Sequence, residues 1–450
     1  MVPHVVALAN GRAGAHRRAA AREGRGSRRG WAAPATPVED CAAMQGLLSG
    51  MRIVEGSAFV AAPSGGMTLA QLGADVIRFD QIGGGLDYGR WPLSDDGTSL
   101  YWTGLNKGKR SIAVDLRNKE AQELLAALVC APGPDAGIFL TNFPARGWMS
   151  YERLAARRAD LILCNVVGNH DGSTAVDYTV NPAVGYPSVT GPVDHDQPVN
   201  HVLPAWDLIC GQAVAVGILA ADRHRARTGQ GQLLSLALSD IALGVVSAMG
   251  HVAEAQVLGR ERPRVGNDLY GAFGRDFATK DGRRVMPVAI SDKQWESLCA
   301  STGTTDAMRD LAARLGLDFG DEGDRFVARD EIAALLAPWC AARTLAEIRA
   351  AWDAHGVCWG PYQTFLQMVA EDPRCSVANP LFAEIDQPGV GRVLAAGSPI
   401  LPVDLGRLPV RPAPRLGEHT DEVLAEVLGL SATEIGALHD RSVVAGPTTP

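Results

Sequence analysis

The sequence predicts an α/β protein, with a large parallel-sheet domain followed by a smaller α+β domain. Two observations carry the first domain. Residues 52–80 read strand, helix, strand, and short apolar runs go on alternating with helical-period segments as far as residue 167. A third carries the second domain: the charged, proline-broken stretch Arg260-Glu261-Arg262-Pro263-Arg264 ends that texture, and a hairpin with four helical segments follows it.

The elements follow in order. Arg52-Ile53-Val54-Glu55 is a strand leading to a loop that holds Pro63, Gly65 and Gly66. Residues 67–72 then have helical spacing and 74–80 form the next strand. Two strands joined by a helix run parallel, since the crossover returns the chain to the same edge. A strand at 111–115, a helix at 119–129 and buried strands at 137–140 and 161–167 continue the pattern. Pro204 bars helix before it, and Ile209, Ala213, Val216, Leu219 and Ala220 then recur at helical spacing through a segment spanning 208–224. A further helix covers about 236–257. Residues 277–290 read as a hairpin around an Asp281-Gly282 turn, and helices follow at 292–302, 306–315, 329–342 and 344–355. A Gly/Pro-rich stretch at 387–414 leads to a helix at 420–428, and Ser431 with Glu434 makes a capping box for one more.

Composition bounds the function. A chain of 450 residues with 46% hydrophobic content buries a sizeable core, and a net charge of −8 gives no general attraction to nucleic acid or anionic lipid. No apolar run reaches the roughly 20 residues of a membrane span. Eight cysteines without a C-x-x-C pair read as reduced thiols of a cytoplasmic protein, and neither they nor the histidines have metal-ligand spacing, so no metal is expected. Residues 1–43, rich in arginine and poor in large apolar side chains, read as an N-terminal extension. Their composition suits an organelle transit peptide or translation from an upstream start, Met44 or Met51 being the genuine one in the second case.

Three places offer chemistry. Asp207 sits at or just before the start of the 208–224 helix, where free N–H groups and the dipole favour an anion. Its pKa is expected at or below the free value of about 3.9, leaving an ionised carboxylate able to act as N-cap or nucleophile. Asn106-Lys107-Gly108-Lys109-Arg110 sets three cations just before a strand, either a solvated face or a site for a phosphorylated ligand. Thr141-Asn142-Phe143-Pro144-Ala145-Arg146 follows a buried strand, as a turn or as a ligand-binding loop at a sheet's carboxyl edge. Asp80 and Gly83-Gly84-Gly85 do not make a dinucleotide site, because no G-x-G-x-x-G opens the first helix. That argues against a nicotinamide-dependent oxidoreductase.

Taken together, Pro204 to Asp207 before Gly211-Gln212, the Asn106 to Ser111 loop, Thr141-Asn142-Phe143-Pro144, Thr228-Gly229-Gln230-Gly231-Gln232 and Pro414-Arg415-Leu416-Gly417-Glu418-His419-Thr420 resemble the family III CoA-transferases, the CaiB/BaiF type. The similarity runs from Met44 to about Gly446. It is strongest toward members that move CoA within the thioester of a C5 unsaturated dicarboxylic acid, through Val54 to Pro63, Gly83 to Tyr88, Asp177 to Pro182, Asn200 to Asp207 and Gly266 to Phe277.

The resemblance implies a large Rossmann-like domain built from both chain ends, 44–258 and 363–446, around a small domain at 259–362, with a short tail at 447–450. It also implies an interlocked homodimer. Asp207 matches the catalytic aspartate that forms an aspartyl-CoA thioester. CoA contacts are implied at Val60, Ala61, Asn106, Lys107, Lys109, Asn142, Phe143, Arg146, Val167, Gly168 and Asn169. Asp177, Tyr178 and Asn181, the last standing where relatives often have Gln, are candidates for the acyl site. Tyr270, Phe273 and Arg275 are candidates for a lid in place of the relatives' Gly-rich loop. Arg52, Arg78, Arg90 and Arg275 are unranked candidates for binding a free carboxylate. CoA enters as part of the substrate, so no separate cofactor is implied. The alternatives are transfer between two molecules and a non-catalytic CoA-binding protein.

Overall fold

The computed structural model describes residues 46–447. The expectations about residues 1–43 and Met44, and the last three residues of the tail, lie outside the described residues.

The chain opens with β1 (Arg52–Gly56), α1 (Ala61–Gln71), β2 (Asp75–Gln81), α2 (Leu100–Leu105), β3 (Arg110–Val114), α3 (Lys119–Cys130), β4 (Ile138–Thr141), α4 (Tyr151–Ala155) and β5 (Ile162–Val167). Then come α5 (Asp177–Ala183), α6 (Tyr186–Val189), α7 (Ala205–Thr228), β6 (Gln232–Ala237), α8 (Leu238–Ala248) and α9 (His251–Leu258). One sheet runs β13-β3-β2-β1-β4-β5-β6, where β13 is Val444–Ala445 near the far end of the chain. Strands β1 to β6 pair in parallel and β13 closes the β3 edge antiparallel. Chain order runs outward from β1 to β3 on one side and from β4 to β6 on the other, which makes the β1/β4 gap a topological switch point.

Strand side chains alternate between faces, so neighbouring residues enter different cores. Ile53, Val76, Ile138 and Ile162 pack with Leu69 of α1 and Cys210, Val214 and Ile218 of α7, whereas Val54, Ile77, Phe139 and Leu163 pack with Leu125 and Val129 of α3. Both faces are covered, and for that reason these strands read as continuous apolar runs.

The loop expected at Pro63, Gly65 and Gly66 is instead the first half of α1. Pro63 is the third helical residue, where the N–H it lacks has no partner inside the helix. The glycines are set by packing. A Cβ on Gly65 would stand 2.7 Å from Val214 Cγ1, one on Gly66 would strike the Glu55 carboxylate, and one on Gly211 would lie 2.9 Å from the Ala61 carbonyl oxygen. α1 and α7 thus cross nearly backbone to backbone. α7 is long and apolar enough to cross a bilayer by length and composition, although it holds no unbroken apolar run of that length. Its face of Trp206, Cys210, Val214, Ile218 and Ala221 lies in the sheet core.

Two other segments differ from expectation. Residues 232–237 form the edge strand β6, missed because its half-exposed alternation resembles a helix end. The single helix expected at 236–257 breaks at Gly250, whose φ of 80° is a left-handed conformation that glycine adopts without strain.

Beyond Leu258 come β7 (Phe273–Gly274), β8 (Phe277–Ala278), β9 (Arg284–Ala289), α10 (Asp292–Thr302), α11 (Thr305–Leu315), α12 (Glu322–Val327), α13 (Arg329–Ala341), α14 (Leu345–His355) and β10 (Cys358–Pro361). They share a core of their own around Phe273, Trp295, Ile332, Leu336 and Trp352. α12, absent from the sequence reading, is capped by Asp321, whose side chain accepts from the Gly323 and Asp324 amides. α15 (Phe365–Glu371) follows, and a hairpin of β11 (Phe382–Gln387) and β12 (Gly391–Ala396) then leads into the Gly/Pro-rich stretch. Finally α16 (Thr420–Leu428) and α17 (Ala432–Asp440), the latter with the expected Ser431/Glu434 capping box, return to the sheet and place Val423 and Leu438 in its second core.

Candidate active site

A cavity of about 710 Å³ opens at the carboxyl ends of β1, β4 and β5, at the switch point. It is lined by Ala58 to Ala61, Asn142 to Arg146 and Asn165 to Gly168 from the three strand ends. Residues 172–178, Arg90, Tyr101, Leu238 and Asp207 complete the wall.

Asp207 is the third residue of α7, whose N-cap is Pro204 with no capping side chain. The helix start nevertheless has an anion. The Trp206 and Asp207 amides donate to Asp177 Oδ2 at 2.8 and 3.1 Å, and Asp177, first residue of α5, is buried. The amides on either side, of Ala205 and Leu208, donate to the carbonyls of Leu203 and Pro204. This corrects the expected electrostatics. Asp177 takes the place at the helix dipole that the sequence offered to Asp207, whose carboxylate has no hydrogen bond or ion pair among the described residues. Burial, and then the negative charge of Asp177, push the Asp207 carboxyl up to about 7, with Arg90 working against them. The sequence-based expectation of a value at or below 3.9 is overturned by desolvation, invisible in the local motif.

The loop after β1 is held from three directions. Asn142, at the end of β4, accepts from the Ala58 amide at 2.9 Å and donates to the Ala58 carbonyl at 2.7 Å. Asp87 accepts from the Phe59 amide at 2.7 Å, keeping Phe59 at a φ of 66°, a strained region for a residue with a Cβ. From beneath, Arg78 donates to the Ser57 carbonyl at 2.7 Å and Lys109 to the Pro63 carbonyl at 2.9 Å. Lys109 also meets Glu55 and Asn106, each at 2.8 Å, and burial lowers its ammonium to about 8.

Of the sequence-predicted residues, the fold brings Val60, Ala61, Asn142, Phe143, Arg146, Val167, Gly168, Asp177, Tyr178 and Asp207 to one cavity. Others lie elsewhere. Asn106 and Lys109 are buried in the ionic cluster under the loop, so the three-cation run is neither a solvated face nor an open phosphate site. Lys107 reaches the Gly104 carbonyl and lines a separate small pocket with Gln71 and Arg411. Asn169 ties its loop to Ser173. Asn181 sits behind the wall, 3.4 Å from the Trp206 indole nitrogen.

The lid candidates differ as well. Phe273 is fully buried in the core of residues 273–357, Tyr270 packs on Phe326 and Arg262, and Arg275 is paired with Asp268 and Asp330. Their apolar or paired side chains serve packing there and do not line the cavity. Sequence reasoning missed Phe59, Tyr101, Asn165 and residues 172–176. Tyr101, next to the motif at 104–111, was within reach of a wider reading, whereas nothing in the sequence signals the backbone of Phe59.

The profile of the family described as CoA-transferase family III matches residues 48–420. The chain is 61% identical over 405 residues to the 2-methylfumaryl-CoA isomerase of Chloroflexus aurantiacus, an alignment spanning 90% of this chain and 99% of that protein. It is 31% identical over 402 residues to the succinyl-CoA:mesaconate CoA-transferase of Haloarcula marismortui, spanning 85% and 96%. The crystal structure of a CaiB/BaiF family protein from Brucella suis superposes with a TM-score of 0.71 at 26% identity, covering 85% of this chain and all of that one. With a parallel sheet whose switch point opens on an aspartate-bearing cavity, and with these matches along nearly its whole described length, the chain belongs to CoA-transferase family III.

Proposed function

We propose that this protein moves CoA between the two carboxyl groups of one unsaturated C5 dicarboxylic acid, converting 2-methylfumaryl-CoA to 3-methylfumaryl-CoA. The observation that carries the chemistry is the unpartnered Asp207 carboxylate in the cavity, desolvated and so more basic than a carboxylate in water. The likeness to the Chloroflexus isomerase supports the choice of substrate.

The reaction uses Asp207 as nucleophile. One carboxylate oxygen attacks the C1 thioester carbon, the C–S bond breaks, and CoA thiolate leaves behind an aspartyl–acyl anhydride. The thiolate then attacks the aspartyl carbonyl carbon and expels mesaconate as a carboxylate, leaving an aspartyl-CoA thioester. The acid turns within the cavity. Its C4 carboxylate attacks the aspartyl thioester, thiolate is released and attacks C4, and Asp207 is regenerated with no net uptake of protons. The α7 amides are occupied by Asp177 and its own preceding carbonyls, so the oxyanions fall instead to the start of α1. Val60 and Ala61 line the cavity there, and no side chain caps the helix. The cytoplasmic homodimer expected of the family, with CoA supplied by the substrate and no further cofactor, belongs to the same reading.

The likeness to the Haloarcula transferase supports a second reading, transfer of CoA to a separate free acid. Incubation with 2-methylfumaryl-CoA and isotopically labelled mesaconate separates the two. Interconversion of the positional isomers without label in the thioester pool is the expected result. Label in that pool establishes the intermolecular reaction, and absence of any conversion, or full activity in Asp207→Asn, rejects the mechanism.

A further inference from the structure

The proposed substrate carries a second, free carboxylate, and the four arginines that the sequence left unranked are separated by their surroundings. Arg52 donates to the Ala131 and Pro132 carbonyls at the amino end of β1, far from the strand's carboxyl end. Arg78 is buried among Asp80, Ser57, Glu55 and Asn106. Arg275 is held by Asp268 and Asp330. Arg90 alone of the four lines the cavity, and its guanidinium has no hydrogen bond or ion pair among the described residues.

Arg90 is nonetheless held in place. Its guanidinium carbon lies 4.7 Å from the centre of the Tyr101 ring and 5.6 Å from that of Phe59, and both rings line the same cavity. Ser99 fixes the backbone on both sides, donating to the Arg90 carbonyl at 2.6 Å and accepting from the Trp102 amide at 3.1 Å, which sets Tyr101 at the start of α2. The strained backbone of Phe59, held by Asp87, carries its ring toward the same guanidinium.

Tyr101 adds an independent observation. Its hydroxyl is shielded from solvent and has no hydrogen-bond partner among the described residues, although the residue lines the cavity. A buried donor left unmade is costly, so such a group calls for an acceptor supplied from outside the chain. Its pKa is raised by burial, against the pull of Arg90, so the phenol keeps its proton and donates. Arg146, the other cation on the wall, is exposed and follows β4. Arg90 opposes the rise of the Asp207 pKa and so lies within electrostatic reach of it.

We infer that the Arg90 guanidinium and the Tyr101 hydroxyl form the receptor for the substrate's free carboxylate, on the reading of the substrate as a dicarboxylic acid thioester. A planar guanidinium and one hydroxyl offer donors to both oxygens of a carboxylate. The same receptor serves both halves of the reaction. It holds the C4 carboxylate while C1 reacts at Asp207, and the C1 carboxylate once the acid has turned. A monoacid thioester lacks this anchor, so the pair selects for dicarboxylates.

The test is a calorimetric titration with 2-methylfumaryl-CoA and with methacrylyl-CoA, the thioester that lacks the free carboxylate, in an Asp207→Ala background that stops turnover, run beside the isomerisation assay with Asp207 intact. Unaltered residues 90 and 101, Arg90→Met, Arg90→Lys and Tyr101→Phe are compared, with thermal melts to verify folding. The unaltered pair is expected to prefer 2-methylfumaryl-CoA. Arg90→Met loses roughly ten- to a hundredfold in affinity for it with methacrylyl-CoA unchanged, the range for removing a charged hydrogen-bond partner. Tyr101→Phe loses severalfold, and Arg90→Lys keeps part of the preference. Titration needs no turnover, so the two inferences fail differently. Protein that does not isomerise with Asp207 intact but shows this pattern refutes the reaction and keeps the receptor. Equal binding of the two thioesters by the unaltered pair, or an undiminished preference in both Arg90→Met and Tyr101→Phe, overturns the receptor.

Discussion

At Asp207 two opposing effects are weighed by the fold. A helix N-terminus favours an anion by about 0.3–1 kcal/mol when exposed, while burial of a carboxylate without partners shifts its pKa by units. Burial and the Asp177 charge prevail, and the group titrates near 7. Asp207 attacks only when ionised, so kcat/KM is expected to fall as pH drops below about 7. Asp177→Asn removes a like charge and lowers the Asp207 pKa, which moves that acid limb to lower pH. The amide oxygen still accepts from the helix amides, so the fold survives. A pH–rate profile in which the limb stays put or moves upward would show that Asp177 does not set the charge state of Asp207. The same residue shows the limit of local reading. The Pro204-to-Asp207 motif is legible, but Asp177 lies 30 residues away in sequence and is brought to the helix only by α5.

At the scale of elements, the site depends on how closely α1 approaches α7. Gly211→Ala gains about 1 kcal/mol of helix propensity. The new methyl meets the Ala61 carbonyl at 2.9 Å, the Gly65 amide at 3.2 Å and the Ser64 hydroxyl, and backbone atoms do not swing aside as a side chain does. Overpacking costs about 1–3 kcal/mol, so a net loss of up to roughly 2 kcal/mol is expected by denaturant unfolding. A raised KM for the thioester should accompany it, because α1 carries Val60 and Ala61. A stability equal to or above wild type would mean that the crossing relaxes freely. The strand–helix alternation up to β5 was legible because apolar periodicity is local. α1 was misread over its first half because glycines that break an isolated helix are the residues a close crossing requires, and β6 was missed because an edge strand is half exposed.

Over the whole molecule, the segment after α17 returns to the sheet. β13 covers the free edge of β3, Thr420 donates to the Ala445 carbonyl and accepts from the Ala113 amide, and Val443 and Val444 are buried. A chain ending at Arg441 exposes that edge and two valines. It should lose about 3–6 kcal/mol, from the burial of two such side chains, and be more prone to aggregate. Urea unfolding reads the loss, and a midpoint equal to wild type would show that β13 contributes nothing. Two residues of strand carry no periodicity, so the sequence could not announce this pairing.

By itself, the sequence determined the parallel α/β sheet, the start of the helix after Pro204 and the presence of a carboxylate there, because these follow from contacts within a few residues of chain. Tertiary structure alone decided that Asp177 and not Asp207 caps α7, that Lys109 supports a loop from below and meets no solvent, that Phe273 is core, and that of the four candidate arginines Arg90 stands beside the cavity with no pairing among the described residues. The reason is common to all four. The energy of a charge or an aromatic ring is set by the water it loses and the partners it gains, and both are fixed by residues distant in the chain.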